Sequence, residues 1–178
     1  QWLGGYRNQS STVSGYLRDA AGIGLSDLNL EFYFDGDYVG NVTTQDLGLY
    51  NFEFLVPVDT LLGTHNIEVV FVGSYFYVES HSNSDSEILS TTVFEFNELE
   101  VFRNQEFFLT SYLFDDLNNP MLNQHVNLTF DGKRYHLVTN GEGLVEQNIT
   151  LSPSHKLGNY VATWDYSGLE YYLPTFSD

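Results

Sequence analysis

Cysteine is absent from this chain, methionine occurs once, and lysine and arginine together number 6 in 178 residues. The lack of cysteine excludes disulfides, thiolate metal centres and cysteine nucleophiles together. It also separates the chain from the small secreted domains that rely on disulfide staples. Those few bases face 24 acidic residues, for a formal net charge of −18. Nucleic-acid affinity rests on Lys and Arg neutralising phosphates, so nucleic-acid binding is excluded as a function. An anionic membrane repels such a surface as well. No apolar run approaches the ~20 residues that a membrane-spanning helix requires. No signal peptide is found either, so a targeting or anchoring segment is expected to have been removed or to lie elsewhere.

What is abundant is aromatic. Tyr (13) and Phe (14) lead a chain that is 42% hydrophobic, far too apolar for a disordered acidic tail. Aromatic side chains fit the pleated, half-buried surface of a sheet. Fifteen glycines, with frequent Asn, Asp and Ser, supply the turns that an all-β chain needs. The acidic surface suits solubility in a crowded extracellular setting, and it attracts Ca²⁺.

The most specific feature is an internal repeat. Tyr6-Arg7-Asn8-Gln9 returns as Phe102-Arg103-Asn104-Gln105, and Tyr16-Leu17-Arg18-Asp19 as Tyr112-Leu113-Phe114-Asp115. Leu30 to Gly36 aligns with Val126 to Gly132 at the same spacing. After a one-residue deletion, Thr44 and Gly48 match Thr139 and Gly143, and Gly63, Phe71, Gly73 and Tyr77 match Gly158, Tyr166, Gly168 and Tyr172. A match sustained over a whole period with one indel requires a shared fold. The expected domains are 1–96 and 97–178.

Period-2 alternation between turn residues gives the strands. In the first copy they are expected at Ser11–Arg18, Asn29–Phe34, Tyr38–Thr44, Tyr50–Val56, His65–Val72, Tyr75–Glu79 and Ile88–Phe96. The second copy repeats them at Glu106–Phe114, Val126–Phe130, Arg134–Thr139, Leu144–Leu151 and Asn159–Tyr166, with a last one near Tyr171. Asp35-Gly36 and Asp131-Gly132 are hairpin signals. Seven short strands per repeat predict two tandem β-sandwiches. Because the second copy ends at Asp178, it lacks a counterpart of Ile88–Phe96. Either the array continues elsewhere, or a neighbouring molecule supplies the strand and builds a filament. Gln1–Gly5 is a poor donor for that exchange, since only Trp2 and Leu3 are apolar.

The marks Asp19, Gly24-Leu25, Thr44, Gly48 and Gly63, with Asp115, Pro120-Met121, Thr139, Gly143 and Gly158 in the second copy, resemble a known pattern. It is that of the bacterial immunoglobulin-like repeats of invasin- and intimin-type adhesins, and of similar archaeal surface proteins. The resemblance covers nearly the whole chain and implies two immunoglobulin-like modules. It also implies a structural or adhesive role at a prokaryotic cell surface, with neighbouring modules, identical subunits, or cell-surface glycans and proteins as partners.

Chemistry-bearing residues are sparse. His65, His81, His125, His136 and His155 show no zinc spacing, and no nucleophile elbow or phosphate loop occurs. No enzyme is expected. Asp19, Asp35, Asp37 and Asp46, or Asp85 and Glu87, are weak Ca²⁺ candidates by their oxygen ligands; no other cofactor is expected. Asp is equally at home in turns through local backbone bonding. Lys133 and Lys156 raise the idea of a Lys–Asn isopeptide cross-link, which Asp37 at the position equivalent to Lys133 disfavours. Asn8, Asn41, Asn127 and Asn148 each open an N-glycosylation sequon. Tyr75-Phe76-Tyr77 and Tyr171-Tyr172 are expected to fill the core at a closing hairpin. If exposed, they form a platform for sugars, and the alternative function is a carbohydrate-binding module pair.

Overall fold

Fourteen strands, most of them with alternating apolar residues, and a 3-10 turn (Asp46–Gly48) make up the computed structural model, which describes residues 2–177. The chain is all-β and divides into two compact units, Gln1–Leu89 and Ser90–Asp178. The first unit holds β1 (Gly5–Tyr6), β2 (Ser10–Tyr16), β3 (Asn29–Phe34), β4 (Asp37–Thr43), β5 (Leu49–Leu55), β6 (Gly63–Phe71) and β7 (Ser80–Leu89). The second holds β8 (Thr92–Glu95), β9 (Glu106–Asp115), β10 (His125–Phe130), β11 (Lys133–Val138), β12 (Leu144–Thr150), β13 (Ala162–Tyr166) and β14 (Thr175–Ser177).

In the first unit the sheet β1-β7-β6-β3-β4 packs on β2-β5. In the second, β11-β10-β13-β14 packs on β12-β9-β8. Repeat register makes β9 to β14 the counterparts of β2 to β7. Two antiparallel layers in this order form an immunoglobulin-like sandwich, the arrangement shared by fibronectin III domains.

The strand period places Leu30, Phe32 and Phe34 inward on β3, and Val126, Leu128 and Phe130 inward on β10. In the first core the Phe32 and Phe52 rings stack with centroids 4.1 Å apart, while Trp2 meets Phe34 edge-on at 5.8 Å. The second core is built around Trp164, Leu113, Leu128 and Tyr166. Both hairpins foreseen at Asp-Gly are present. Asp35 and Gly36 have φ of 50° and 89°, and Asp131 and Gly132 have 50° and 72°, the doubly positive geometry of a type I′ turn.

A second shared device ties one end of each sandwich together. Asp19 Oδ1 accepts from the Ala21 and Ile23 amides, and Asp115 Oδ1 accepts from the Leu117 and Asn119 amides. Buried Thr44 donates its hydroxyl to Leu25 O (2.6 Å) and accepts from the Leu28 amide; buried Thr139 does the same between Met121 O (2.6 Å) and the Gln124 amide. Leu17 and Leu113 then take the carbonyls of Gly48 and Gly143 as acceptors.

The structure departs from the expected strands in several places. Ile88–Phe96 is not one strand. It breaks after Leu89, because Thr92–Glu95 pairs with Asp115–Tyr112 of β9, so the units divide at Leu89/Ser90 rather than after Phe96. The strand that closes the first sheet is instead β7, whose polar Ser80–Glu87 run pairs residue for residue with β6. Its counterpart β14 pairs with β13 at Thr175–Ser177, so the second unit does possess the beginning of that strand. Asn159–Val161 lies outside β13, whereas the matching Thr64–Asn66 is held in β6 by Asp85–Glu87 of β7. Finally, Tyr75–Glu79 forms no strand, and neither does the segment near Tyr171, which is a turn with isolated bridges at Leu169 and Tyr172.

The clamp generates a test. Gly48 and Gly22 both have positive φ (75° and 82°), where an L-residue costs about 1–2 kcal/mol. A Cβ on Gly48 would lie 2.1 Å from Leu17 O, while nothing lies within 4 Å of one on Gly22. Gly22→Ala should therefore lose only that backbone cost in urea unfolding, and Gly48→Ala more than about 3 kcal/mol.

Candidate functional site

The most exposed apolar feature of the first unit is the connection between β6 and β7. Gly73 (φ 93°) lets the chain fold back, and the Ser74 amide donates to Tyr77 O at 2.8 Å, closing a small hairpin. Tyr75 is 94% exposed, Phe76 83% and Val78 87%, and the Tyr75 and Phe76 rings meet edge-on at 4.9 Å. The expectation that this run fills the core is thus corrected. The residues lie beyond the end of the β6–β7 ladder, which closes at Phe71 and Ser80.

Its repeat counterpart has the same backbone and a different environment. Gly168 also has positive φ (80°), and the Leu169 amide donates to Tyr172 O at 3.1 Å. Here Tyr171, Tyr172 and Leu173 are half-buried. The segment leading into β8 lies alongside them: the Ser90 amide donates to Tyr171 O (2.8 Å), and the Leu173 amide donates to Ser90 O (2.9 Å). Thr92 adds a hydroxyl bond to Leu173 O at 2.9 Å. Ser90 is fully buried and its hydroxyl donates to Asp116 Oδ1 at 2.6 Å. Nothing in the local sequence around Ser90 marks it; only the pairing does.

Asp35, His65, Asn66 and Asp85 are linked locally, whereas Asp19 and Asp46 lie at other turns. Asp35 Oδ1 accepts from the Asn66 amide at 2.9 Å, while its other oxygen meets His65 Nδ1. His65 Nε2 faces Leu61 O at 2.8 Å. With an acceptor at each ring nitrogen, the ring serves both only when it carries two protons. Partial burial pushes the Asp35 carboxyl up, but the Asn66 amide and the His65 ring outweigh that and hold it below the usual carboxylate value. Asp37 sits across the same hairpin turn, Asp46 opens the 3-10 turn, and Asp19 is occupied by its own turn. Asp85 accepts from the Asn66 side chain at 2.7 Å, and Glu87 pairs with Thr64 in the β6–β7 ladder. Among the described residues, no group of three or more His, Asp or Glu is placed to hold a metal ion.

The remaining candidates are dispersed. His81 and His125 are exposed, and His136 Nδ1 meets Asn127 Oδ1. His155 lies 3.9 Å from Asp131 in a cavity of about 250 Å³, also lined by Lys133, Tyr135 and Leu151. Lys133 and Lys156 are exposed. Of the sequon residues, Asn8, Asn41 and Asn148 are exposed, whereas Asn127 is half-buried and its amide donates to Asp165 at 3.3 Å. No described helix is long and apolar enough to cross a membrane.

No protein-family model matches the chain, and no curated protein matches it. Among solved structures it is similar to the amphioxus IgVJ-C2 molecule, at 14% identity over 97% of this chain and 95% of that one, with a TM-score of 0.42. It is similar to the fibronectin(III)-like modules of Clostridium thermocellum CbhA, at 13% identity over 92% of this chain and 80% of that one (TM-score 0.34). A Ca²⁺-stabilized adhesin of an Antarctic bacterium is similar at 10% identity, with 96% of this chain and 42% of that chain covered (TM-score 0.39). The assignment of an immunoglobulin-like sandwich rests on the strand order and register of the chain itself.

Asp35 makes the first unit sensitive to acid. A carboxyl whose folded pKa is depressed contributes stability in full above its unfolded value, near 3.9 for Asp, and loses it as pH falls through the folded value. Thermal unfolding between pH 7 and pH 2 should show Asp35→Asn with a shallower loss of stability on acidification than the parent. Equal slopes would mean that the His65 and Asn66 contacts do not depress the group.

Proposed function

We propose that the chain is a non-catalytic structural or adhesive piece of an extracellular prokaryotic surface protein of the invasin and intimin kind, as a stalk, surface-layer or filament subunit. The observation carrying this reading is what the two units repeat. They share the Asp19/Asp115 turns, the Thr44/Thr139 clamps and the Gly48/Gly143 acceptors. They differ in the side chains displayed at the loops, Ser74-Tyr75-Phe76 in one and Leu169-Glu170-Tyr171 in the other. Repetition of framework without repetition of displayed chemistry suits modules whose shared task is to hold a shape. The charge of −18 suits an exposed, soluble surface. Neighbouring immunoglobulin-like modules or identical subunits are the partners of this reading, with glycans or proteins of a cell surface as adhesive targets. Ca²⁺ enters it as a counter-ion of the acidic surface, and Asn8, Asn41 and Asn148 as exposed glycan acceptors. Immunogold labelling of intact source cells should decorate their exterior and be lost after protease shaving. Labelling that appears only after lysis would overturn the proposal.

The exposed Tyr75 and Phe76 rings favour one second reading, a carbohydrate-binding module pair, because paired aromatic faces stack on sugar rings. Calorimetric titration with neutral β-linked oligosaccharides decides it. Binding that disappears in the Tyr75→Ala/Phe76→Ala variant would support this reading, and silence across the panel would remove it.

A further inference from the structure

The first unit displays an edge whose counterpart in the second unit is covered, and the repeat register shows what covers it. In the second unit Phe94 faces Leu113 in the antiparallel β8–β9 ladder. In the first, Trp2 faces Val13. Carried through the repeat spacing, these two pairings belong to one and the same ladder. The first unit therefore has the register of β8, with a bridge at Trp2 among the described residues. In that register Gln1 corresponds to Asn97, so a strand of the Ser90–Glu95 pattern joined to Gln1 through one residue aligns with the end of β2.

Three observations mark the place such a segment would occupy. Leu113 is fully buried with Phe94 beside it, whereas its counterpart Leu17 is only partly buried. Tyr16, at the end of β2, is 56% exposed. At the hairpin, Leu173 donates to Ser90 O and Tyr171 accepts from the Ser90 amide. In the first unit the matching Val78 amide and Phe76 carbonyl have no backbone partner among the described residues. A row of unpaired strand groups beside exposed apolar side chains is a template for strand addition.

We propose that Phe76–Val78 and Tyr16–Asp19 of the first unit form the seat for a single extended polypeptide strand of the Ser90–Glu95 pattern. The strand runs parallel to the hairpin and antiparallel to the end of β2. Its occupant is such a strand supplied by another module of the same kind, as Ser90–Glu95 is seated in the second unit. Backbone pairing carries the recognition, because Asp116, which anchors the Ser90 hydroxyl, is replaced by Ala20 at the matching position. An apolar residue at the place of Phe94 completes burial of Leu17. The exposed aromatics are then one wall of a module junction, and the inference stands on the repeat geometry whether or not the protein is a surface component.

The test places a copy of Ile88–Phe96 directly before Gln1 of the full chain and follows amide hydrogen exchange by NMR. In the parent chain Val78 should exchange at least tenfold faster than Leu173. The graft should slow Val78 at least tenfold and raise the unfolding temperature of the first unit. Ser90→Pro in the grafted copy alone, which removes the amide that reaches the hairpin carbonyl, should restore fast exchange. The same nine residues added as a free peptide should give the same protection at saturating concentration. Unchanged Val78 exchange in the graft would overturn the proposal, as would protection that survives the proline. A neutral oligosaccharide that perturbs Tyr75 and Phe76 while the graft leaves Val78 unprotected would overturn it in favour of a sugar platform. Surface labelling of cells moves independently of all these outcomes.

Discussion

Each sandwich depends on how the chain crosses from one sheet to the other at a single end. After β2 the backbone must leave one layer, turn, and enter β3 in the facing layer. That crossing is fixed by three interlocked contacts: Leu17 donates to Gly48, Leu25 donates to Leu17, and Thr44 spans Leu25 and Leu28. The second unit reproduces all three with Leu113, Gly143, Met121, Thr139 and Gln124. The polar groups concerned are largely shielded from water, where an unpaired donor or acceptor costs about 1–3 kcal/mol, so none of the set can be altered singly without exposing its partners.

The same sandwich plan leaves the edges as the variable part. A sheet edge presents unpaired amides and carbonyls, and proteins pair, cover or charge them. The polar strand β7 covers one side of β6 with Ser, Asn, Asp and Glu, and short β1 then pairs in parallel with its end at Ile88 and Leu89. The second unit solves the other edge with β8 and the buried Ser90. The hairpin at Tyr75–Val78 belongs to this variable part, and it carries the most exposed apolar side chains of the first unit.

Much of this was legible in the residues. Strands β3, β5, β9, β10 and β12 were foreseen within a residue or two, because their apolar residues alternate and Asp-Gly or Gly bounds them. The turn role of Asp19 was foreseen beside its weaker claim as a Ca²⁺ ligand, and the structure commits an oxygen of Asp19, as of its counterpart Asp115, to turn amides. What was not legible was β7. Its sequence Ser80 to Glu87 has no apolar face, and its strand character comes from the nine-residue ladder with β6. Nor did periodicity separate Leu89 from Thr92, since Ile88–Phe96 alternates well enough for a single strand.

By itself, then, the sequence determined the secondary-structure class, the duplication and the inward faces, because alternation and turn chemistry act over a few residues. Tertiary structure alone decided which strand belongs to which unit, that an all-polar segment is a strand, and that one aromatic hairpin is bare while its twin is covered. Those outcomes depend on backbone pairing between segments far apart in the chain. Backbone groups are the same at every residue, so side-chain pattern carries no record of their partners.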